Sequence, residues 1–154
     1  MIIDGEFRVD APIQQAWDFL TDMQKVASCV PSFEKIEVLN DQSFAITVSQ
    51  KVGPIAVTFE TQTHFTEVIP PNRLVASGRG KDTKMGSSFE LTNEIDLLPV
   101  SEKETLVRYK ADVKINGRLA SVGKSLIKIV AKREVGKVVE LIQEKIGGFS
   151  GEKV

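Results

Sequence analysis

NGRLASVGKSLIKIVAKREVGKVVELIQEKIGG, running from Asn116 to Gly148, is the only long segment of the chain with helical periodicity. It contains no proline, Asn116-Gly117 opens it as a break, and Gly147-Gly148 supplies a C-terminal stop. About thirty residues at ~1.5 Å each make a rod of roughly 45 Å, so something broad must cover it. Leu119, Val122, Leu126, Ile129 and Val130 follow the spacing of one apolar stripe, and Lys124, Lys128 and Lys132 repeat every fourth position on the opposite side. Toward and past Gly136 the first direction holds Arg133, Lys137 and Glu144, while the apolar set becomes Val135, Val138, Ile142 and Ile146. Either the helix bends near Gly136, or its two halves pack on different things.

Working outward from this rod, everything upstream of it reads mostly with period two. Ile3, Gly5, Phe7 and Val9 alternate with Asp4, Glu6 and Arg8, a half-buried strand. Asp10-Ala11-Pro12 then starts a helix whose apolar side is Ala16, Trp17, Phe19 and Leu20, and a second short helix near Met23 to Ala27 ends at Val30-Pro31. From Phe33 six strands follow, marked by Ile36 and Val38; Phe44, Ile46, Val48 and Val52; Val57, Phe59 and Phe65; Leu74 and Ala76; Phe89, Leu91, Ile95 and Leu97; and Val107, Tyr109, Val113 and Ile115. The expected turns are Asn40-Asp41, Gly53-Pro54, Pro70-Pro71-Asn72, Lys84-Met85-Gly86 and Pro99-Val100-Ser101. Connections this short make neighbouring strands antiparallel. The reading is an α+β chain in which a curved seven-stranded antiparallel sheet wraps around the long C-terminal helix, with two short helices after the first strand.

Composition bounds what such a chain can be. At 154 residues and 42% hydrophobic it is long enough for one real core and too short for two, so residues 1–154 are read as a single domain. A formal charge of −1 argues against a general nucleic-acid binder. The charge is uneven, however: Lys114, Arg118, Lys124, Lys128, Lys132, Arg133 and Lys137 face the single acid Glu134 over that stretch. The plainer reading is a solvated helix face; the sharper one is docking, through Lys124, Lys128 and Lys132, onto an acidic protein or an anionic membrane. One cysteine, Cys29, excludes an intrachain disulfide, and neither a signal-like leader nor a membrane-length apolar run is present, which leads us to expect a cytoplasmic protein, with attachment to the inner face of the membrane left open.

A sheet curled around a helix leaves a gap between the two. In the register above, Gln50, Thr61, Thr63, Asn93 and Tyr109 point the same way as the phenylalanines, into an otherwise apolar interior. Such groups bond to one another, to water or at sheet ends in many cores; alternatively they are the few convergent polar groups of a small-molecule pocket. On the second reading the pocket is lined by Phe59, Phe89, Leu91, Tyr109, Val122, Leu126 and Val130, with Asn93, Thr61 or Thr63 anchoring a polar head, and Met23, Val30 and Met85 forming an adaptable mouth.

No catalytic signature accompanies this pocket. The single histidine, His64, falls on the outer face with Gln62 and Thr66, and Cys29 has no second histidine to form a dyad with. Paired histidines and CxxC spacing are absent, so no metal is expected. Gly78-Arg79-Gly80 lacks the third glycine of a dinucleotide loop and reads as a turn or strand end. Glu94 and Asp96 fall on an outer face and read as solvated, and Trp17 as core packing. An enzyme acting on a polyketide-like or amide substrate would need an inward acid or base, for which Tyr109 and Glu67 are the candidates.

Several stretches carry a family resemblance. These are Gly5 with Phe7, the helix start from Ala11-Pro12 to Trp17, Ala27-Ser28-Cys29-Val30-Pro31, Lys51-Val52-Gly53-Pro54-Ile55, the Pro70-Pro71 turn followed by Gly78 and Gly80, and Gly117-Arg118-Leu119-Ala120-Ser121-Val122-Gly123. In this order, over residues 2 to 146, the chain resembles the CoxG family, small accessory subunits of molybdenum carbon monoxide dehydrogenase, within the helix-grip superfamily that includes the START lipid-transfer domains and the birch-pollen-allergen fold. The resemblance implies a non-catalytic partner of a molybdenum hydroxylase, linked to the membrane, whose cavity holds a lipophilic molecule such as a quinone or lipid. An assembly or membrane-docking factor without a specific ligand is the alternative. Many members continue into a flexible tail with a membrane-attaching segment, whereas this sequence stops at Val154, so anchoring through such a tail is not expected. Cys29-Val30-Pro31-Ser32 stands where the family often has cysteine-isoleucine-proline-glycine, at a loop expected to rim the cavity.

Overall fold

The computed structural model describes the backbone of residues 1–82 and 86–152, with side chains as far as Ile146. In chain order the elements are β1 (Ile2–Val9), α1 (Ile13–Leu20), α2 (Met23–Ala27), β2 (Phe33–Asn40), β3 (Ser43–Val52), β4 (Ile55–Ile69), β5 (Arg73–Asp82), β6 (Ser88–Ser101), β7 (Glu104–Asn116), a 3-10 turn (Arg118–Val122) and α3 (Lys124–Glu152). The strands form one sheet in the order β1-β7-β6-β5-β4-β3-β2, and each neighbouring pair is antiparallel. Strands β2 to β7 meander through short turns; α1 and α2 carry the chain from β1 at one edge to β2 at the other. This is the expected helix-grip architecture, with a curved sheet around a long C-terminal helix.

The two short helices have local causes. Pro12 sets the start of α1, whose Ala16, Trp17 and Leu20 are buried on one side. Asp22 caps α2: its Oδ1 accepts from the backbone N–H groups of Gln24 and Lys25, both at 3.1 Å, a cap of the kind typically contributing about 1 kcal/mol. Thr105 is fully buried and donates its hydroxyl to the Ala11 carbonyl at 2.8 Å, tying the start of β7 to the turn before α1.

Four boundaries differ from the sequence reading, each for a local reason. The expected turn at Pro99-Val100-Ser101 lies inside β6, and the chain reverses at 102–103. Proline is tolerated there because the pairing with β7 is irregular between Pro99 and Ser101. Residues 116–123 are not part of the long helix: Asn116 ends β7, and Gly117 (φ 84°) and Gly123 (φ 98°) bracket the 3-10 turn in backbone conformations that favour glycine. At its other end α3 runs through Gly147-Gly148 to Glu152 instead of stopping there. Finally, Gly78 and Gly80 are neither turn nor strand end; both are buried inside β5.

The reset at Gly123 moves the helix phase. Ile127 takes the inward position and is buried, while Ile129, expected in the stripe, is 62% exposed. Gly136 lies within one continuous helix whose two halves meet different partners. Ile142 and Ile146 pack with Val9, Ala16, Trp17, Leu20, Cys29, Leu74, Leu97 and Val107. Ile127 and Val130 pack with Val52, Ile55, Val57, Phe59 and Leu119. Of the two alternatives posed by the sequence, separate packing of the two halves is therefore what the structure contains.

Candidate functional site

The interior between those two clusters is where the inward face changes character. Strand register aligns Ile46, Thr61, Gly80 and Phe89 as successive cross-strand neighbours, and Phe44, Thr63, Gly78 and Leu91 as the next row. The following rows add Phe65, Ala76, Asn93 and Ala111, then Ile95, Tyr109 and Gly5. The middle of the sheet is thus floored by Ala76, Gly78, Gly80 and Ala111 with three short polar side chains among them, and Gly5 continues the series on the edge strand β1. Overhead, α3 approaches β1 and β3, near the two margins of the sheet, more closely than the strands between. On this floor Thr63, Leu91 and Asn93 stay half-buried, whereas Thr61, Gly78 and Gly80 are buried.

Two features give this middle region its chemistry. Thr61 is 5% exposed, and its Oγ1 is a buried polar atom without a hydrogen-bond partner. An unsatisfied buried hydroxyl typically costs about 1–3 kcal/mol, so the position is not set by stability. Across the strand pair, a side chain on Gly80 would meet Thr61 Oγ1 at 2.9 Å and collide with the Phe89 ring; one on Gly78 would meet Thr63 Oγ1 at 2.9 Å. Phe59 and Phe89 stand edge to face with centroids 4.8 Å apart. At the other side of the region Tyr109 lies over Gly5, its hydroxyl 2.6 Å from where a side chain would begin, with the Phe7 ring 6.1 Å away.

The residues expected to line a pocket fall into three groups. Phe59, Thr61, Thr63, Phe89, Leu91, Asn93 and Tyr109 share the inward face, as their register requires. Val122, Leu126 and Val130 belong to the Phe59 cluster, with Leu126 packed against Gly53 at the β3–β4 turn. Met23 is buried and Val30 half-buried beside α2, whose Ser28 is tied to Lys145 by a 2.7 Å hydrogen bond. Met85 lies outside the described residues; Gly86 and Ser87 after it abut Gly117, and Ser87 Oγ accepts from the Leu119 N–H at 2.9 Å. Ser28, close to Val30 in the chain, is thus tied to the C-terminal part of α3, and Ser87 to the turn that precedes α3. An apolar cavity of about 230 Å³ opens beside the start of α3, lined by Met1, Val113, Ile115, Ala120, Lys124 and Ile127.

Two larger grooves, about 490 and about 540 Å³, lie on the outer face of the sheet and share Gln62 and Arg79. Their walls carry charges of both signs, including Lys35, Glu60, Lys81, Glu90, Asp112 and Lys114, and His64 lies in the first. Their lining is more polar than apolar, so they suit a lipophilic molecule less well than an apolar interior does.

Other expectations for single residues are corrected by the outer face. Glu94 and Asp96 are not merely solvated: Arg73 donates to Glu94 at 2.7 Å and to both oxygens of Asp96 at 3.0 Å, holding the Glu94 carboxyl below its ordinary range. Glu67 joins the same arginine at 3.3 Å, because an irregularity between Phe65 and Glu67 turns it outward, and so it offers no inward acid. Cys29 is fully buried, and burial pushes its thiol up. Among the described residues no cluster of histidine, cysteine, aspartate or glutamate could hold a metal, and no helix is long and apolar enough to cross a membrane.

What the sequence reading missed was the glycine strip and Ile127. The first was legible, since Leu74, Ala76, Gly78 and Gly80 continue one period-two series. The second was hidden by carrying the helix phase through Gly123.

The fold recurs in solved structures. A conserved protein from Geobacillus kaustophilus superposes with a TM-score of 0.86 at 17% identity, covering 95% of each chain. A START superfamily protein from Mycobacterium smegmatis gives 0.72 at 13%, covering 96% of this chain and 98% of the other. The Zhui aromatase/cyclase from Streptomyces sp. R1128 gives 0.68 at 16%, covering 95% and 93%. No curated protein matches the chain in sequence. The model of the carbon monoxide dehydrogenase CoxG family matches residues 5–147, which is nearly the whole grip of sheet and helix, and the chain belongs to that family.

Proposed function

We propose that this protein carries a lipophilic molecule, a quinone or lipid, between α3 and the sheet, without catalysis of its own, and presents it to a molybdenum hydroxylase of carbon monoxide dehydrogenase type. The observation that carries this reading is the interruption of the core: two apolar clusters at the two ends of α3, separated by a floor of glycine, alanine and short polar residues. A protein selected only for stability would fill that floor with branched aliphatics. The family's name supports a carbon monoxide dehydrogenase as the partner, and the quinone is what the resemblance in sequence implies. The Streptomyces relative in fold is an aromatase/cyclase by name, so the architecture accommodates chemistry elsewhere. Here the two inward candidates reduce to Tyr109 alone, Glu67 being bound to Arg73 on the outer face.

The test is native mass spectrometry of the purified protein, followed by organic extraction and identification of what is released. A stoichiometric isoprenoid quinone or lipid is expected. An empty protein that also fails to take up any quinone or lipid on incubation would end the carrier reading.

A second reading has its own observation. Lys124, Lys128 and Lys132 are all exposed on the outer side of α3 with Ile129 between them, a basic face carrying one apolar side chain. Such a surface suits peripheral contact with an anionic membrane at the cytoplasmic side, or with an acidic protein surface. It is compatible with carriage and would place the cavity beside Lys124 near the point of contact.

A further inference from the structure

We infer that the glycine strip of β5 is the seat of the ligand's head group, that this head is a flat, uncharged ring bearing a carbonyl or hydroxyl oxygen, and that Thr61 Oγ1 is its anchor. The inference rests on the carrier reading above and says which part of the interior discriminates among cargoes.

Three observations converge on it. First, Thr61 is the one residue with a buried, unpartnered side-chain polar atom among the described residues. Valine has the same shape and suits a strand at least as well, so a threonine here makes sense if something outside the protein completes its hydrogen bond. Second, Gly78 and Gly80 sit two residues apart on the same face, and the hydroxyls of Thr63 and Thr61 each come within 2.9 Å of the space their side chains would take. Bare backbone edged by two hydroxyls is a slot for a thin, flat group. Third, the Phe89 ring already occupies part of that slot, over Gly80, and meets Phe59 edge to face. An aromatic ring is therefore what the space accepts, and a ligand ring set over Gly78 would meet the edge of this pair.

The head must also be uncharged. Its surroundings are Thr61, Thr63, Leu91, Phe59, Phe89 and backbone, with no charged side chain of either sign on the inward strand rows of Thr61 and Thr63 to pair a carboxylate, phosphate or ammonium. A buried unpaired charge would not be tolerated there. A hydroxyl, by contrast, donates to a carbonyl and accepts from another hydroxyl. Thr61 therefore suits both the oxidised and the reduced form of a ring such as a quinone, which a carrier needs if its cargo changes state at the partner.

The experiment compares wild type, Thr61→Val and Thr61→Ser, titrated with decylubiquinone and, as a control whose ring bears no oxygen, with dodecylbenzene, by calorimetry and thermal shift. Thr61→Val is expected to melt no lower than wild type without ligand, to bind decylubiquinone about tenfold more weakly, and to bind dodecylbenzene unchanged. Thr61→Ser should restore quinone binding. If Thr61→Val binds decylubiquinone as tightly as wild type does, the anchor is elsewhere while the carrier reading stands. If wild type takes up neither compound, the carrier reading and this inference fall together.

Discussion

The two ends of α3 each close on an apolar cluster, and the stretch of sheet between those clusters is of the opposite kind. Around Ile142 and Ile146 the core is continuous: Val9, Ala16, Trp17, Leu20, Leu97 and Val107 are all buried, and Thr105, the polar residue beside them, has its partner in Ala11. Between this cluster and the one around Ile127 and Val130, the floor changes to glycine, alanine and threonine, and there a hydroxyl is left without a partner. Dense packing with every polar group satisfied is what holds a fold together; small residues with an orphan hydroxyl are what a fold retains for another purpose. The two ends of the helix are thus the clasps of the domain, and the small, polar floor lies between them.

Enlarging an alanine in each region should show the contrast most strongly. Ala16→Leu pushes a branched side chain into the closed cluster and should destabilise by about 1–3 kcal/mol. Ala76→Leu points into the open middle and should cost under about 1 kcal/mol while lowering the amount of ligand recovered by extraction. Chemical denaturation of both variants, with extraction of the second, checks this; equal losses of stability would mean that the middle is as closed as the clasps.

A smaller effect concerns the outer side of α3. Reversing Lys124, Lys128 and Lys132 together to glutamate should leave the melting temperature nearly unchanged, since exposed charges contribute little to stability, but should weaken co-sedimentation with anionic vesicles at low salt. Retained sedimentation would remove the docking role from this face.

The smallest effect lies on the outer side of the sheet. Glu94 is held below its ordinary pKa by the hydrogen bond from Arg73, so its contribution is present above the unfolded-state value and lost as pH falls through the folded one. Wild type should therefore lose a little stability below about pH 4.5 that Arg73→Ala has already lost, and the two melting curves should converge as the pH is lowered further. A constant gap between them would show that Arg73 acts through packing alone.

Most of this architecture was legible in the residues. Period-two runs placed every strand, because each has one face in the core and one in water, and Pro12, Met23 to Ala27 and the Gly53-Pro54 turn fall where expected. The helix was harder. A stripe drawn from Leu119 to Val130 runs across Gly123, where the backbone leaves helical conformation, and periodicity alone does not register such a break. Thr61, Thr63 and Asn93 were recognisable as inward and polar, yet that the Thr61 hydroxyl is left without a partner was not, since hydrogen bonding depends on neighbouring strands. Glu94 and Asp96 illustrate the same limit: their alternation gave the correct face, but the arginine that joins them comes from another strand.

Carriage on the glycine strip requires a ligand to sit there, and amide chemical-shift mapping during titration with decylubiquinone locates it directly. Shifts should concentrate at Thr63, Ala76, Gly80 and Asn93, which line neither outer groove, and leave Ala16, Trp17 and Ile142 almost unmoved. Shifts confined to Lys35, Glu60, Lys81 and Lys114 would put the molecule in the outer grooves and contradict a seat between α3 and the sheet.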